Sequence, residues 1–360
     1  MSRVVNFNAG PATLPLSVLE YTRDELLDHE GTGMSILEHS HREAAYMAVH
    51  EECKVLLREL MAIPDTHEVI FMGGGASTQF ALVPMNLANG GSADYVDTGT
   101  WSAGAIKEAN IVAKARIAGT GKDGERYVRV PKQADLDLDP NAAYVHITSN
   151  NTVMGSQYHY TPDTGSVPLV ADMSSDILWK PIDVSKYGLI YAGAQKNLGP
   201  AGVVVCIIRK DLAERSPKTI PKIFRYSTMV EGDSMANTVP TFPVYMVRNV
   251  LRWVKSVGGA PAMEQRNRAK AKMLYDILDA NDFYKLVIEK DSRSVMNPVF
   301  NLPSEDLEKK LVKDSKAAGF VGIKGHRSVG GLRISMYNAM EPEGVAKFCE
   351  FLTGWTKANS

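Results

Sequence analysis

The sequence predicts an α/β fold, with a large domain built on a mostly parallel sheet flanked by helices and a smaller α+β domain at the C-terminal end. Three observations carry this. Short apolar runs alternate with helix-length patterns from about residue 16 to residue 255, as strands do when crossover helices cover both faces of a sheet. Beyond residue 256 the alternation gives way to long helix patterns separated by short strand runs. The chain has 360 residues, more than a single core comfortably serves. We place the domains at residues 16–255 and 256–360.

The elements follow in order. Residues 68–72 (EVIFM) form an apolar run, and a helix pattern starts at Ala76. Residues 93–97, 143–147, 169–171, 189–191 and 203–208 resemble further buried strands. The proline-bearing stretches 216–221 and 238–243 read as loops. Residues 244–257 form an amphipathic helix pattern stopped by Gly258 and Gly259. A long helix pattern runs from Ala262 to about Asn281. A strand at 296–302, a helix at 304–318, a strand at 331–336 and a terminal helix complete the chain. Neither an internal repeat nor a low-complexity tract is visible.

Composition narrows the function. A formal net charge of -1 argues against a nucleic-acid or polyanion binder, which needs a basic excess. The three cysteines, Cys53, Cys206 and Cys349, are scattered without metal-type spacing and read as reduced thiols. With no basic-then-apolar leader and no membrane-length apolar run, the chain reads as cytoplasmic.

Lys196 is the most informative residue. It lies in Tyr191-Ala-Gly-Ala-Gln-Lys-Asn-Leu-Gly-Pro-Ala-Gly202, after a strand and among small residues. There a lysine can be desolvated while a flat ligand approaches, which suits imine formation with a carbonyl cofactor. Upstream, Val167-Pro-Leu-Val-Ala-Asp172 is a strand pattern that ends on a carboxylate. An acid ending one strand and a lysine ending the next is the pairing pyridoxal 5'-phosphate (PLP) requires. The lysine holds the aldehyde, and the acid keeps the pyridine nitrogen protonated. At an effective dielectric near 20, a carboxylate about 3 Å from a pyridinium is worth roughly 5 kcal/mol. Taken singly, Lys196 is a surface lysine and Asp172 a helix N-cap; together they point to the cofactor.

Other motifs are less specific. Gly73-Gly74-Gly75-Ala76-Ser77-Thr78 joins a strand to a helix, where free N–H groups can cradle a phosphate. Its plain reading is an ordinary Gly-rich turn. Its sharper rival is a dinucleotide fingerprint with Asp94 or Asp97 as the ribose acid. Trp101, in a small polar loop, could stack on a flat ring or be partly buried core. His39-Ser-His41-Arg42 and Gly325-His326-Arg327-Ser328, with Arg333 beyond, are two His-Arg pairs far apart in sequence. Arginine recognises carboxylates and phosphates bidentately, so two pairs suit a small substrate with an anion at each end. A solvated turn is the plain reading of each.

Together these segments resemble the phosphoserine aminotransferase family, class V aminotransferases of PLP-dependent fold type I. The likeness runs from Phe7-Asn-Ala-Gly-Pro11 through Met34-Ser-Ile-Leu-Glu-His-Ser-His-Arg42, Ala171-Asp-Met-Ser-Ser175 and the lysine segment. It continues to Gly325-His-Arg-Ser-Val-Gly-Gly331 and Tyr337-Asn-Ala339. The resemblance implies a homodimeric cytoplasmic enzyme of serine biosynthesis that moves an amino group between glutamate and 3-phosphohydroxypyruvate. In many bacteria this family also serves pyridoxine biosynthesis, on a phosphorylated four-carbon analogue. Lys196 matches the PLP lysine and Asp172 the ring-nitrogen partner. Trp101 matches the stacking aromatic and Thr152 a cofactor hydrogen-bond donor. Ala76, Ser77 and Gln195 match phosphate and ring contacts, and Asn237 and Thr238 match residues reaching the phosphate from the neighbouring subunit. His41 and Arg42 match the side-chain anion site, joined by His326 and Arg327 across the dimer, and Arg333 matches the α-carboxylate clamp. The resemblance also implies that residues 1–15 pack near the active site.

The chain departs from the family at two places. Ser77 stands where many members carry Arg, which throws the phosphate end more heavily on Arg42, His41 and Arg327. Ala9 replaces a serine seen in some members. With unperturbed histidines near pH 6.5, affinity for the phosphorylated substrate is expected to fall above neutral pH more than affinity for glutamate. The competing readings are another fold type I enzyme, such as a different aminotransferase or a cysteine desulfurase, an NAD-dependent dehydrogenase, and a non-catalytic phosphate-binding or scaffold protein. A desulfurase lacks a suitable loop cysteine here, and the last two leave Lys196 and Asp172 without a use.

Overall fold

The computed structural model describes residues 3–359; Met1, Ser2 and Ser360, the ends of the expected N-terminal segment and C-terminal domain, lie outside the described residues. Its centre is a seven-stranded sheet. In chain order the strands are β1 (His67–Gly73), β2 (Ser92–Asp97), β3 (Lys114–Thr120), β4 (Val145–Thr148), β5 (Leu169–Asp172), β6 (Leu189–Gly193) and β7 (Val203–Arg209). Their spatial order is β1-β7-β6-β5-β4-β2-β3. All pairs are parallel except those of β7, which runs antiparallel to β1 and β6.

The inner strands read as unbroken apolar runs because both faces are covered. Side chains alternate between the faces. Val203, Val205 and Ile207 join a cluster with Val49, Cys53 and Leu57 of helix Ala44–Met61 and with Val247 and Leu251 of helix Thr241–Ser256. Val204, Cys206 and Ile208 face the other way. They pack with Phe80 and Val83 of helix Ala76–Leu87 and with Ala105 and Ala109 of helix Thr100–Val112.

The sequence reading overlooked β3. This edge strand is largely solvent-facing and carries Lys114, Arg116 and Gly119, so no apolar run marks it. It is held instead by charge. Arg116 is the register partner of Asp94 on β2, and its Nε and Nη2 donate to the two carboxylate oxygens at 2.8 Å each. The Asp139 N–H adds a bond to the same carboxylate at 2.7 Å.

Beyond residue 256 a separate cluster gathers Leu274 and Leu278 of helix Gly259–Asp279, Leu311 of Glu305–Ala317 and Phe348 and Leu352 of Pro342–Asn359. They surround Met296, Phe300, Leu332 and Ile334. Phe7 and Trp179 also enter it. The expected strands here shrink to Val299–Phe300 paired with Leu332–Arg333. Val5–Asn6 of the N-terminal segment pairs with Phe320–Val321. Two boundaries also differ from the sequence reading. Residues 241–243, expected in a loop, open helix Thr241–Ser256, because proline is tolerated in a first turn. The next helix starts at Gly259 rather than Ala262, behind Gly258 at φ 100°. No described helix is long and apolar enough to cross a membrane.

Removing one partner of a buried ion pair strands the other charge. Asp94 keeps only 1% of its side chain exposed. Arg116→Leu is expected to lower unfolding stability by about 1–3 kcal/mol in urea titrations; an unchanged midpoint would contradict the role given to this pair.

Candidate active site

β5 and β6 are hydrogen-bonded neighbours with Asp172 opposite Tyr191, so the acid at the end of one strand lies beside the strand that leads into Lys196. After Gly193 the chain makes a single turn in which the N–H groups of Leu198 and Gly199 donate to the Ala194 carbonyl at 3.1 and 2.8 Å. Lys196 projects from that turn. Its Nζ donates to Thr152 Oγ1 at 2.7 Å and lies 5.5 Å from the centre of the Trp101 ring. Burial pushes the amine down to about 8; the Asp172 carboxylate opposes this and the Arg333 guanidinium adds to it.

Asp172 is buried. Burial raises its carboxyl, while the Ser174 hydroxyl, the Lys196 charge and the Ser174 N–H act against that. Ser174 donates from N and Oγ to Asp172 Oδ1 at 2.9 and 2.6 Å, and no described group donates to Oδ2. Ser174 Oγ in turn accepts from the Gly193 N–H at 3.0 Å. One serine therefore clips the acid to the strand that carries the lysine. Sequence reading gave Ser174 no role of its own within Ala171-Asp-Met-Ser-Ser175, although a hydroxyl two residues after an aspartate is the signal for such a local bond.

Trp101 lies in the first turn of helix Thr100–Val112 and is fixed from two sides. Ser102 Oγ accepts from the Thr98 and Gly99 N–H groups, at 2.9 Å each, and donates to Asp97 at 3.0 Å. Asn151, next to Thr152, accepts from the Trp101 N–H at 3.3 Å and donates to Thr98 Oγ1 at 2.7 Å. Asn151 carries no sequence pattern, and the reading missed it.

At the Gly-rich turn, Gly74 has φ 94° and a Cβ there would meet Thr78 Oγ1 at 2.5 Å. That geometry starts the helix at Ala76, and the first N–H groups of a helix lack intrahelical partners. A Cβ on Gly193 would lie 3.4 Å from Ala76 N and 2.7 Å from Gln195 Oε1. The turn, Gln195 and the lysine strand therefore converge. The dinucleotide alternative loses its acid. Asp94 is committed to Arg116, and Asp97 to Ser102 and to Tyr127, whose hydroxyl donates to it at 2.9 Å.

Arg333 lies on the Lys196 side, from which its charge depresses the lysine. Its own Nε is buried without a partner. His326 is partnered by Ser328 at 2.7 Å and is held below its ordinary value by burial, Arg333 and Arg327. In the other His-Arg segment the two histidines differ. His39 is engaged with Thr32 and Glu43, whereas His41 Nε2 is buried and unpartnered. Arg42, Ser77, Asn237, Thr238 and Arg327 are exposed, and no described contact joins Arg42, Asn237 or Thr238 to Lys196.

Orphaned buried donors mark where a ligand is missing from the hydrogen-bond accounting. Trp101 Nε1 and Arg333 Nε are two of them, and the Trp101 ring lies 5.5 Å from the desolvated Lys196 amine. A flat, anionic carbonyl compound fits this set.

The family described as aminotransferase class-V matches residues 4–348. The chain belongs to the class-V aminotransferases. Among its relatives, the phosphoserine aminotransferase of Desulfatibacillum aliphaticivorans is 54% identical, covering 99% of each chain. The solved phosphoserine aminotransferase from Bacillus circulans subsp. alkalophilus is 49% identical, with TM-score 0.97 over 99% of both chains. A PLP-bound phosphoserine aminotransferase from Trichomonas vaginalis is 36% identical, with TM-score 0.93 over 98% of this chain and 100% of that one. More distant solved aminotransferases, such as an alanine–glyoxylate aminotransferase from Nostoc at 16% identity and TM-score 0.79, share the fold.

Only the neutral amine of this class-V aminotransferase is nucleophilic. In cofactor-free protein, Lys196 acetylation followed by peptide mass spectrometry is expected to rise through pH about 8. A midpoint near the ordinary lysine value of about 10.4 would contradict the desolvated site.

Proposed function

We propose that this chain is a PLP-dependent transaminase that moves an amino group reversibly between L-glutamate and 3-phosphohydroxypyruvate. The products are 2-oxoglutarate and O-phospho-L-serine, so it serves serine biosynthesis. The observation that carries the reading is a lysine depressed to about 8 beside a buried carboxylate on the neighbouring strand. It stands in a chain 54% identical over nearly its full length to a protein named phosphoserine aminotransferase. The four-carbon analogue 3-hydroxy-2-oxo-4-phosphooxybutanoate, with the same two anionic ends, suits the same groups and would extend the role to pyridoxine biosynthesis.

Bound PLP supplies a carbonyl carbon open to attack by an amine and a ring that takes up the electron pair left when a Cα proton departs. Asp172 would hold the proton on the ring nitrogen, with Ser174 fixing its Oδ1. Lys196 would anchor the carbonyl end. Once free, its Nζ would accept the substrate's Cα proton and later release it, a transfer that typically contributes about 10²–10⁴-fold. Trp101 would cover the ring, Thr152 accepts from the Lys196 amine, and Ala76, Ser77 and Gln195 would contact the cofactor's phosphate and ring. Arg333 binds the α-carboxylate. His41, Arg42, His326 and Arg327 bind the distal anion, which is a carboxylate in one substrate and a phosphate in the other.

The exposure of Asn237 and Thr238 supports placing them on a partner subunit's cofactor phosphate, in a homodimer with shared sites. Exposed Leu27 and Leu37, near Arg42 in the chain, supply apolar surface for such a contact. The separate C-terminal cluster supports domains at 16–255 and 256–360. Gly10, where a Cβ would come 3.2 Å from Lys196 Cγ, supports a role for residues 1–15 beside the site. Three buried, unpaired cysteines fit the cytoplasm.

The test is initial-rate kinetics with both substrates. Parallel double-reciprocal lines, with phosphoserine and 2-oxoglutarate as products, are expected, and Lys196→Ala should abolish turnover; retained steady-state transamination in that variant would sink the assignment. His326 is depressed in the free site, so its charge is lost as pH rises through a value below 6.5. Binding of the distal anion favours the charged imidazole and raises that value in the complex, so affinity falls as pH rises between the two. His326→Gln should flatten the pH dependence of KM for the phosphorylated substrate relative to the wild-type enzyme. An unchanged profile would remove His326 from the distal-anion site.

A further inference from the structure

Asn338 is fully buried and lies where four chain segments meet. Its backbone N–H donates to Asn197 Oδ1 at 3.0 Å, one residue beyond Lys196. Its side-chain amide donates to the carbonyls of Ile177 and Leu178 at 3.3 Å each, at the end of the loop that follows Asp172. Its own side-chain oxygen accepts from Asn267 at 2.8 Å, on helix Gly259–Asp279.

The neighbours sharpen the picture. Leu178 has φ 60°, a left-handed conformation that costs a branched-chain residue of order 1–3 kcal/mol and persists only where surroundings hold it. The Asn338 amide bonds to the carbonyls on both sides of that strained residue's N–H. The segment around Asn338 is itself pinned. Lys270, one turn beyond Asn267, donates to the carbonyls of Met336, Tyr337 and Met340 at 3.1, 2.7 and 3.1 Å. Tyr337 donates through its hydroxyl to Ala9 O at 2.7 Å, and the Ala12 N–H donates to Gln195 O at 2.9 Å. The lysine turn is thus held from two sides by groups outside the sheet.

We propose that Asn338 is a positioning residue for the reaction, tying the Lys196 turn to the loop after Asp172 so that amine and carboxylate keep the separation one cofactor ring requires. Adjacent strands fix where Asp172 and Gly193 lie, but Lys196 sits three residues past the end of its strand and the sheet does not reach it. Asn338 supplies that missing restraint from the C-terminal part of the chain. A misplacement of about 1 Å can cost on the order of 10²-fold in rate, so a single polar link has leverage here.

The inference rests on the roles proposed for Asp172 and Lys196. Its test uses Asn338→Leu, which keeps the approximate shape and removes the side-chain donors, and Asn197→Ala, which cuts the link from the lysine side and decides the matter if the first variant fails to fold. Lys196 acetylation against pH is read on cofactor-free protein, and kcat and KM for glutamate on the loaded enzyme. In both variants the Lys196 midpoint is expected to move up from about 8 as water gains access to the loosened turn. The rate constant kcat should fall on the order of 10- to 100-fold while KM changes little. Folded variants with the wild-type midpoint and wild-type kcat would overturn the role of Asn338. Turnover retained in Lys196→Ala would instead overturn the reading of Lys196, so the two failures are distinguishable.

Discussion

The pairing of β5 with β6 is the contact on which the site depends. Parallel neighbours lie about 4.8 Å apart, and their register sets Asp172 against Tyr191. A planar ring held at its nitrogen by one group and at its carbonyl by another needs those groups a fixed distance apart. Two adjacent strands ending on the same edge fix Asp172 and Gly193, and the turn that carries Lys196 starts from there. The remaining features serve this edge. Helices on both faces bury the strands, Ser174 clips the acid to Gly193, and the Gly-rich turn opens beside it.

The same edge concentrates groups that burial disfavours. The Lys196 amine and the Asp172 carboxyl are each shifted toward their neutral forms by desolvation. Arg333 Nε and Trp101 Nε1 are buried without partners. Unpaired buried polar groups cost free energy, and the tightly packed apolar clusters around the sheet offset that cost. A site assembled this way is poised to gain from an anionic ring compound that satisfies those donors.

Legibility in the sequence followed the physics of each element. Strands buried on both faces were readable because nothing polar interrupts them, as in Val203–Arg209. Edge strand Lys114–Thr120 was not, because its order comes from Arg116 and Asp94 rather than from apolar content. Lys196 and Asp172 stood out because small neighbours and strand ends give them a pattern. Asn151 has none, and Asn197 and Asn338 lie in segments of the likeness without a role of their own: an asparagine acts through the partner that folding brings to it, here across 141 residues for Asn197 and Asn338. His39 and His41 share one His-Arg segment, where the likeness singles out His41, and folding gives partners to His39 while leaving His41 Nε2 without one.

The central claim is that one ring compound links Lys196 and Asp172 and passes an amino group from glutamate to 3-phosphohydroxypyruvate. A visible absorbance spectrum of the PLP-loaded protein tests it most directly, recorded before and after glutamate and then after 3-phosphohydroxypyruvate. The account predicts a visible band that glutamate bleaches and the keto acid restores. A band that bleaches but does not return would contradict the acceptor, and a protein that stays colourless with added PLP would contradict the cofactor site itself.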